Sequence, residues 1–161
     1  MHESLLAELL NQEQELQLDS FDNDAAWELG SRLVAAARAG GHGVTIDITR
    51  GEQQLFHAAL HGTSADNDAW IQRKNNVVRR FGHSSFYVGR DCEAAGASLE
   101  DRFFVDPRVF SAHGGAFPIA IRGVGVVGTV TVSGLPQAED HRLVVSVLRD
   151  FARSRGVRNG A

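Results

Sequence analysis

A run of alternating apolar and polar residues, joined by a short polar turn to a second, largely apolar run, constrains the fold of this chain more than any other feature. The runs are residues 44–49 and 54–60, and residues 50–52 (Arg-Gly-Glu) form the turn between them. Alternation with a period of two is typical of β-strands, and the turn joins these two strands into a β-hairpin. Asp47 lies between two isoleucines and faces the opposite side of its strand, so we expect it to be exposed to solvent.

Helical stripes of apolar residues flank this hairpin. The second stripe begins at the acidic segment 22–24 and ends at a pair of glycines, which is the usual order of helix start and stop signals. Pro136 is a good first-turn residue for the last helix. Two tryptophans, Trp27 and Trp70, lie on these stripes, and we expect them in the core or at an interface. The predicted helices cover residues 4–16, 22–40, 63–82, the shorter segment 83–95, and a final segment from Pro136.

Three further segments have the character of strands: residues 17–21, 117–121 and 124–132. Together with the hairpin they predict about five strands. Helices and antiparallel-looking strands are partly segregated along the sequence, which favours an α+β fold over a doubly wound parallel sheet.

Composition supports one globular domain over residues 1–161, because 43% of the residues are hydrophobic and 22% are charged. The single Cys92 excludes an internal disulfide and a cysteine-built zinc site. A net charge of −4 argues against a nucleic-acid partner. No apolar run reaches the roughly 20 residues of a membrane span, and the N-terminus lacks a signal pattern. We therefore expect a soluble cytoplasmic protein without a membrane partner.

Residues 123–128 match the glycine pattern G-x-G-x-x-G of dinucleotide-binding proteins. That chemistry requires a helix to open at the glycines, so that its amide groups face a pyrophosphate. Here the β-branched run 129–132 follows instead. We therefore interpret these as strand glycines that permit a bulge, a tight bend or the close approach of a neighbouring backbone.

Several segments together resemble the haem-degrading-domain family, also called the GlcG/HbpS-like family, and most closely an uncharacterised branch of it. The resemblance extends from about residue 5 to residue 149. The segments that carry it are 113–119 (His-Gly-Gly-Ala-Phe-Pro-Ile), 125–134, 139–140, 21–30 and 73–81.

The resemblance implies a profilin-like fold, in which helices pack against an antiparallel sheet, and assembly into a homo-oligomer. Some relatives bind or degrade haem, so haem is a candidate cofactor. Those haem-binding relatives use a histidine near their own N-terminus. No position of this sequence is matched to it, because His2 precedes the first predicted helix.

Two segments are candidate ligand contacts. The glycines after His113 let backbone amides approach a ligand, although they also suit a turn with positive φ. The junction 133–141 offers the amide groups of a helix N-terminus to an anion, although Glu139 and Asp140 equally serve as caps. The candidate ligand-binding residues here are His113, Gly114, Gly115, Ser133, Gly134, Asp140 and His141.

Two arginines are further candidate ligand contacts, and two histidines are close enough in sequence to suggest metal ligands. Arg73 and Arg80 share a helical face and could clamp a carboxylate or a haem propionate, or simply form a solvated face. No metal site is predicted, because His57 and His61 lie ~13 Å apart along a strand.

Three functions stay open from the sequence. The first is a homo-oligomeric small-molecule-binding domain for haem or a small anionic metabolite, with a pocket shared between subunits. The second is an enzyme of haem or small-acid metabolism that uses His113 or His141 in proton transfer. The third is a non-catalytic assembly or adaptor module.

Overall fold

This computed structural model describes residues 2–159, with side chains described through Arg155. These residues contain six helices and four strands. The helices are α1 (His2–Glu15), α2 (Asn23–Ala39), α3 (Ala65–Phe81), α4 (Ser85–Ala94), α5 (Leu99–Phe103) and α6 (Gln137–Asn159). The strands are β1 (Thr45–Arg50), β2 (Gln53–Ala59), β3 (Ala116–Ile121) and β4 (Gly125–Ser133).

Local signals in the sequence set the bounds of the longer helices. The Asp22 side chain accepts a hydrogen bond from the Ala25 amide at 2.7 Å and caps α2. Ser64 and Asn67 form a capping box at the start of α3. Gly82 ends α3 in the left-handed conformation, with φ of 71°. The predicted helix bounds at these positions are confirmed.

The four strands form one antiparallel sheet in the order β2-β1-β4-β3, so the two hairpins lie side by side with β1 and β4 at the centre. The predicted α+β fold is confirmed, but the expected number of about five strands is wrong. The segment 17–21 contributes only a single parallel bridge, between Leu18 and Ile121. The segment does not continue as a strand, because Asp22 directly after it is the N-cap residue of α2.

One face of the sheet is apolar and carries α2 and α6. Fully buried isoleucines and valines of β1 and β4 meet leucines and valines of the two helices. Burial of each such side chain contributes about 1.5–3 kcal/mol. Central members of this core are Leu29, Leu33, Ile46, Ile48, Val130, Val132, Val144 and Leu148.

The opposite face of the sheet is polar, yet α3 covers it. Asp47 is only 1% exposed, so the expectation that it faces solvent is wrong. Its carboxylate accepts hydrogen bonds from Asn75 Nδ2 at 3.0 Å and from Gln54 Nε2 at 2.7 Å. Asn75 in turn accepts from the Thr131 hydroxyl. A period of two separates the two faces of a strand but does not show whether a helix covers the polar one.

The glycine pattern 123–128 lies on the β3–β4 turn and in β4, as predicted. Gly123 and Gly125 adopt positive φ, at 77° and 113°. Gly128 lies so close to the Thr49 carbonyl that a side chain there would overlap it. These glycines therefore serve the hairpin rather than a helix start.

Trp27 lies on the outer surface of α2, where it is 67% exposed and meets the Phe56 ring at 5.4 Å between ring centroids. The expectation of a core position for Trp27 is wrong. A role at an interface stays a prediction.

Candidate functional site

A cavity of about 220 Å³ opens where β4 leads into α6. Two of its walls come from segments that the sequence singled out, the loop before β3 and the junction before α6, and the third comes from α3. The lining residues are Asp66, Asn67, Trp70, Lys74, His113, Gly114, Ser133, Gly134, Leu135, Gln137 and Asp140.

A buried ion pair between Lys74 and Asp140 forms part of the cavity wall. Lys74 is only 2% exposed, and its Nζ lies 3.4 Å from Asp140 Oδ2. Nζ also donates to the carbonyl oxygens of Gly114 at 3.0 Å and Val132 at 2.9 Å. An ammonium group has three donors, and three acceptors surround it here. The geometry therefore matches a structural ammonium rather than a free amine.

Burial and charge act in opposite directions on this pair. Removal from water lowers the pKa of Lys74, and the Asp140 carboxylate partly offsets this effect. Burial likewise raises the pKa of Asp140, against the Lys74 charge and the amides of Leu135 and Gly134. Each charge thus depends on the other for its stability in the interior.

Two amides in the segment between β4 and α6 bind the protein's own carboxylate. Asp140 Oδ1 accepts from the Leu135 amide at 2.9 Å, and Oδ2 accepts from the Gly134 amide at 3.3 Å. Asp140 therefore holds the loop that leads into α6, and these two amides are not free for a ligand. A ligand would instead meet the side chains of Ser133 and Gln137, which line the cavity.

The glycine pair before β3 is required by close packing. Gly115 has φ of 135°, and a Cβ atom there would lie 2.6 Å from Lys74 Nζ. The Gly114 amide donates to Gln137 Oε1 at 2.9 Å, and its carbonyl accepts from Lys74. The two glycines therefore bring the loop onto the ion pair, and only Gly114 of the two lines the cavity.

His113 lies at the exposed edge of the cavity and contacts Trp70, with 5.0 Å between the ring centroids. The Arg73 guanidinium lies 4.1 Å from the centroid of the Trp70 ring. Partial burial lowers the pKa of His113, and the positive charges of Lys74, Arg73 and Arg90 lower it further. The imidazole is thus neutral near pH 7 and lies in a positive electrostatic potential.

A second cleft, of about 460 Å³, adjoins the cavity and shares Trp70 and His113 with it. Arg73, Arg90 and Phe110 also line this cleft. The Trp70 and His113 rings therefore separate two spaces of different size.

Two of the predicted site residues lie elsewhere. His141 is buried against the rings of Phe86 and Phe117, and its Nε2 bonds to Gln12 Oε1 at 2.8 Å. Burial lowers the pKa of His141 to about 4. Although Asp140 and His141 are adjacent in sequence, the helix turns their side chains about 100° apart, and no acid–base pair forms.

Arg80 is separated from Arg73 by about 10 Å along α3, and its guanidinium lies near the rings of Phe81 and Phe110. Arg80 does not line the cavity or the adjoining cleft.

Sequence reasoning missed Lys74 as a site residue, although a signal was present. Lys74 lies on the same helical stripe as Trp70, Val77 and Phe81, where spacings of three and four residues predict burial. A lysine on a buried stripe requires an acidic partner, because an unpaired charge in the interior is costly.

The fold and the cavity define this chain as a single-sheet α+β protein with a polar cavity beside a buried lysine–aspartate pair. Residues 21–149 match the family described as haem degrading protein HbpS-like. The chain belongs to this HbpS-like family, which confirms the resemblance noted from the sequence.

Relatives and solved structures agree with this assignment. A UPF0303 protein of Streptomyces coelicolor is 56% identical over 146 residues, which are 91% of this chain and 92% of that protein. The crystal structure of the Ybr137w protein superposes with a TM-score of 0.86 at 38% identity, over 93% of this chain and 88% of that one. The crystal structure of a PduOC:haem complex superposes with a TM-score of 0.65 at 13% identity, over 82% of this chain and 94% of that one. This last likeness shows the fold alone.

No helix among residues 2–159 combines the length and the apolar character needed to cross a membrane.

Proposed function

We propose that this protein binds a small anionic molecule, such as a short-chain carboxylate, in the cavity beside His113. The observation that carries the proposal is the meeting of His113, Asn67, Ser133 and Gln137 around one space next to a buried ammonium group. Polar side chains converge there from three separate parts of the chain, where Asn67 Nδ2 donates to Ser133 Oγ at 3.4 Å and Gln137 Oε1 accepts from the Gly114 amide at 2.9 Å. Convergence of a few polar groups on a concave space is the usual architecture of a ligand site.

The charge at the cavity edge favours an anion over a cation. Arg73, Lys74 and Arg90 all lower the pKa of His113, which means that the potential at this imidazole is positive. The charges of Lys74 and Asp140 compensate each other, and Arg90 pairs with Glu93 at 2.6 Å, so the surplus positive charge at this edge comes from Arg73. The exposed Asp66 on the cavity rim is the remaining carboxylate among the lining residues.

The size of the cavity favours a small ligand. A volume of about 220 Å³ lies below the ~300–1,000 Å³ of pockets that hold drug-sized molecules. A tetrapyrrole exceeds this space, whereas a metabolite with one or two carboxylates fits it.

Haem is the second candidate, and the adjoining cleft is the observation that favours it. That cleft is about 460 Å³ in volume and combines an imidazole, an indole, a phenyl ring and two guanidinium groups. His113 would be the axial ligand and Arg73 the partner of a propionate, while Trp70 and Phe110 would contact the macrocycle. Membership of the HbpS-like family and the haem complex of the PduOC protein support this candidate.

We also propose assembly into a homo-oligomer, as the family resemblance implies, with a neighbouring subunit closing the open side of the cavity. Exposed apolar side chains support the assembly itself, among them Trp27 at 67% and Val124 at 72% exposure, although neither of these two lines the cavity. Light scattering tests it, and a strict monomer would contradict it.

An enzyme that uses His113 for proton transfer is the sequence-derived alternative. The His113 imidazole is exposed between the two spaces, whereas the other candidate, His141, is buried and its Nε2 bonds to Gln12 Oε1 at 2.8 Å.

The test of the main proposal follows the His113 imidazole by NMR while small carboxylates are added. A bound carboxylate stabilises the imidazolium form, so the pKa of His113 should rise on binding. Binding should therefore tighten as the pH falls toward that pKa. His113→Ala should abolish binding, whereas His61→Ala removes an exposed imidazole from a turn remote in sequence and should leave it unchanged. A carboxylate panel that never shifts His113 would overturn the proposal.

Titration with haemin tests the second candidate, haem binding. A Soret shift in the wild-type protein and in His61→Ala, but not in His113→Ala, would support haem in the adjoining cleft. An unchanged spectrum in all three would exclude haem binding through His113.

A further inference from the structure

A cleft lined by four arginines lies at the far end of α6 from Asp140. It has a volume of about 360 Å³ and forms between the segment linking α1 to α2, the β3–β4 turn and the later turns of α6. Its α6 residues are roughly 14–22 Å along the helix from Asp140, so this cleft is separate from the cavity described above. We call it the arginine cleft; its charged residues are Arg122, Arg149, Arg153, Arg155, Glu15 and Asp19.

The arginine cleft concentrates positive charge on a chain that is acidic as a whole. The net charge of the protein is −4, yet a quarter of its 16 cationic side chains line this one space. Four guanidinium groups against two carboxylates leave a local surplus of two positive charges. A cleft lined by charges of one sign concentrates the electrostatic field and attracts a ligand of the opposite charge.

The contacts inside the chain leave most of the guanidinium donors unused. Arg122 pairs with Asp19 at 2.6 Å, and Arg149 lies 3.6 Å from Glu15, whose side chain is 62% exposed. Arg153 forms no ion pair with any described side chain. Each guanidinium carries five N–H donors, so single contacts with exposed carboxylates leave several free for a ligand.

Arg155 is held in place by two contacts. Its guanidinium lies 4.7 Å from the centroid of the Phe151 ring, and it pairs with Glu28 at 3.5 Å. These contacts orient a planar fork beside the cleft before any ligand arrives.

The floor of the arginine cleft is rigid and apolar. Leu16 and Leu18 are buried there, and Ala152 lies beside them. The Leu18 amide donates to the Ala120 carbonyl at 2.8 Å, and the Arg122 amide donates to the Leu18 carbonyl at 2.9 Å. The bridge to β3 therefore fixes the segment that carries Asp19 next to the turn that carries Arg122.

We propose that the arginine cleft binds the phosphate group of a small phosphorylated molecule. A phosphate monoester carries about −1.5 to −2 charges at pH 7, which matches the local surplus of two positive charges. Guanidinium forks bind phosphate oxygens in pairs, and this geometry distinguishes phosphate from a spherical anion. The volume accommodates the phosphate and a modest organic body over the leucine floor.

Isothermal titration calorimetry in a chloride buffer tests this proposal with three probes: inorganic phosphate, glucose 6-phosphate and glucose. Both phosphates should bind and glucose should not. Tighter binding of glucose 6-phosphate than of inorganic phosphate would assign the site to an ester, and equal affinity would assign it to the free ion. Affinity should fall as the salt concentration rises.

Substitutions of individual arginines test whether phosphate binds in the arginine cleft. Arg153→Gln and Arg149→Gln should each weaken phosphate binding about tenfold. Arg142→Gln removes the same charge from an exposed position on the same helix, outside the cleft, and should change affinity less than about twofold. Arg153→Lys keeps the positive charge but lacks the paired donors of a guanidinium group, so it should bind phosphate with intermediate affinity. This result would show that the loss in Arg153→Gln reflects phosphate recognition and not misfolding.

Three results would overturn the proposal. The first is no heat with either phosphate at millimolar concentration. The second is equal weakening by Arg142→Gln and Arg153→Gln, which would indicate general charge screening. The third is binding of glucose as tightly as of glucose 6-phosphate, which would indicate that the site does not recognise the phosphate group.

Discussion

The Lys74 ammonium and the Asp140 carboxylate lie 3.4 Å apart, although α3 and α6 pack on opposite faces of the sheet. The two side chains meet just beyond the end of β4, where Lys74 also donates to the Val132 carbonyl. This pair joins the two helical layers, and it forms part of the wall of the candidate cavity. The stability of the fold and the shape of the candidate cavity therefore depend on the same charges.

Breaking this pair from one side should destabilise the protein strongly. Lys74→Met leaves the Asp140 carboxylate buried without its counter-charge, and the free energy of unfolding should fall by about 3–5 kcal/mol. Urea denaturation of Lys74→Met, Asp140→Asn and the double variant measures the coupling. The double variant should lose less than the sum of the two single losses. Strictly additive losses would show that the two groups do not interact.

Gly115 should tolerate no side chain. In Gly115→Ala, the new Cβ would lie 2.6 Å from Lys74 Nζ on a backbone with φ of 135°. Gly125→Ala is the matched control, because Gly125 also has strongly positive φ, at 113°, but has open space around it. We expect Gly125→Ala to cost about 1–3 kcal/mol through its backbone conformation and Gly115→Ala at least about 1 kcal/mol more. Equal losses in thermal unfolding would refute the packing argument.

His141 should make the protein sensitive to acid. Its folded-state pKa of about 4 lies below the ordinary value near 6.5, so the unfolded chain takes up the proton first as the pH falls. The neutral imidazole therefore costs no stability above pH 6.5, and stability is lost between pH 6.5 and 4, by about 3 kcal/mol. In His141→Gln this part of the pH dependence should disappear. Urea midpoints measured across that range for both proteins provide the comparison.

His83 should titrate in the opposite direction. Its Nδ1 lies 2.9 Å from Glu13 Oε1, and this hydrogen bond raises the pKa of His83 above its ordinary value. The stabilising contribution of the pair is thus present below the unfolded-state pKa and is lost as the pH rises through the folded-state pKa. NMR titration should show the His83 pKa falling in Glu13→Gln. Glu8→Gln, an exposed change on the same helix, should leave it unaltered.

The hairpins and the long helices were predictable because their signals are local. Asp22 and Gly82 end their helices through contacts within a few residues, and the turn at 50–52 joins strands that are adjacent in sequence. Periodicity alone wrongly predicted a fifth strand at residues 17–21. Only Leu18 of the segment 17–21 pairs with β3, and that pairing depends on Ile121, which lies about a hundred residues further along the chain.

The candidate site was predictable in part. The sequence identified the loop around His113 and the junction around Asp140, and both line the cavity. Arg80 and His141 were grouped with them by sequence spacing, but the helices that carry them direct their side chains elsewhere. Spacing along a helix shows which residues share a face and does not show what that face meets.

The sequence by itself determined the family, the α+β class and the positions of the main helix ends and hairpin turns, because short-range backbone preferences and apolar periodicity encode them. Only the tertiary structure decided that Asp47 is buried, that Lys74 is the partner of Asp140, and that three arginines of α6 and Arg122 line one cleft. Lys74 and Asp140 are 66 positions apart, and the cleft brings together Glu15 and Arg149, which are 134 positions apart. They are set by how helices close over the two faces of the sheet, which no local pattern records.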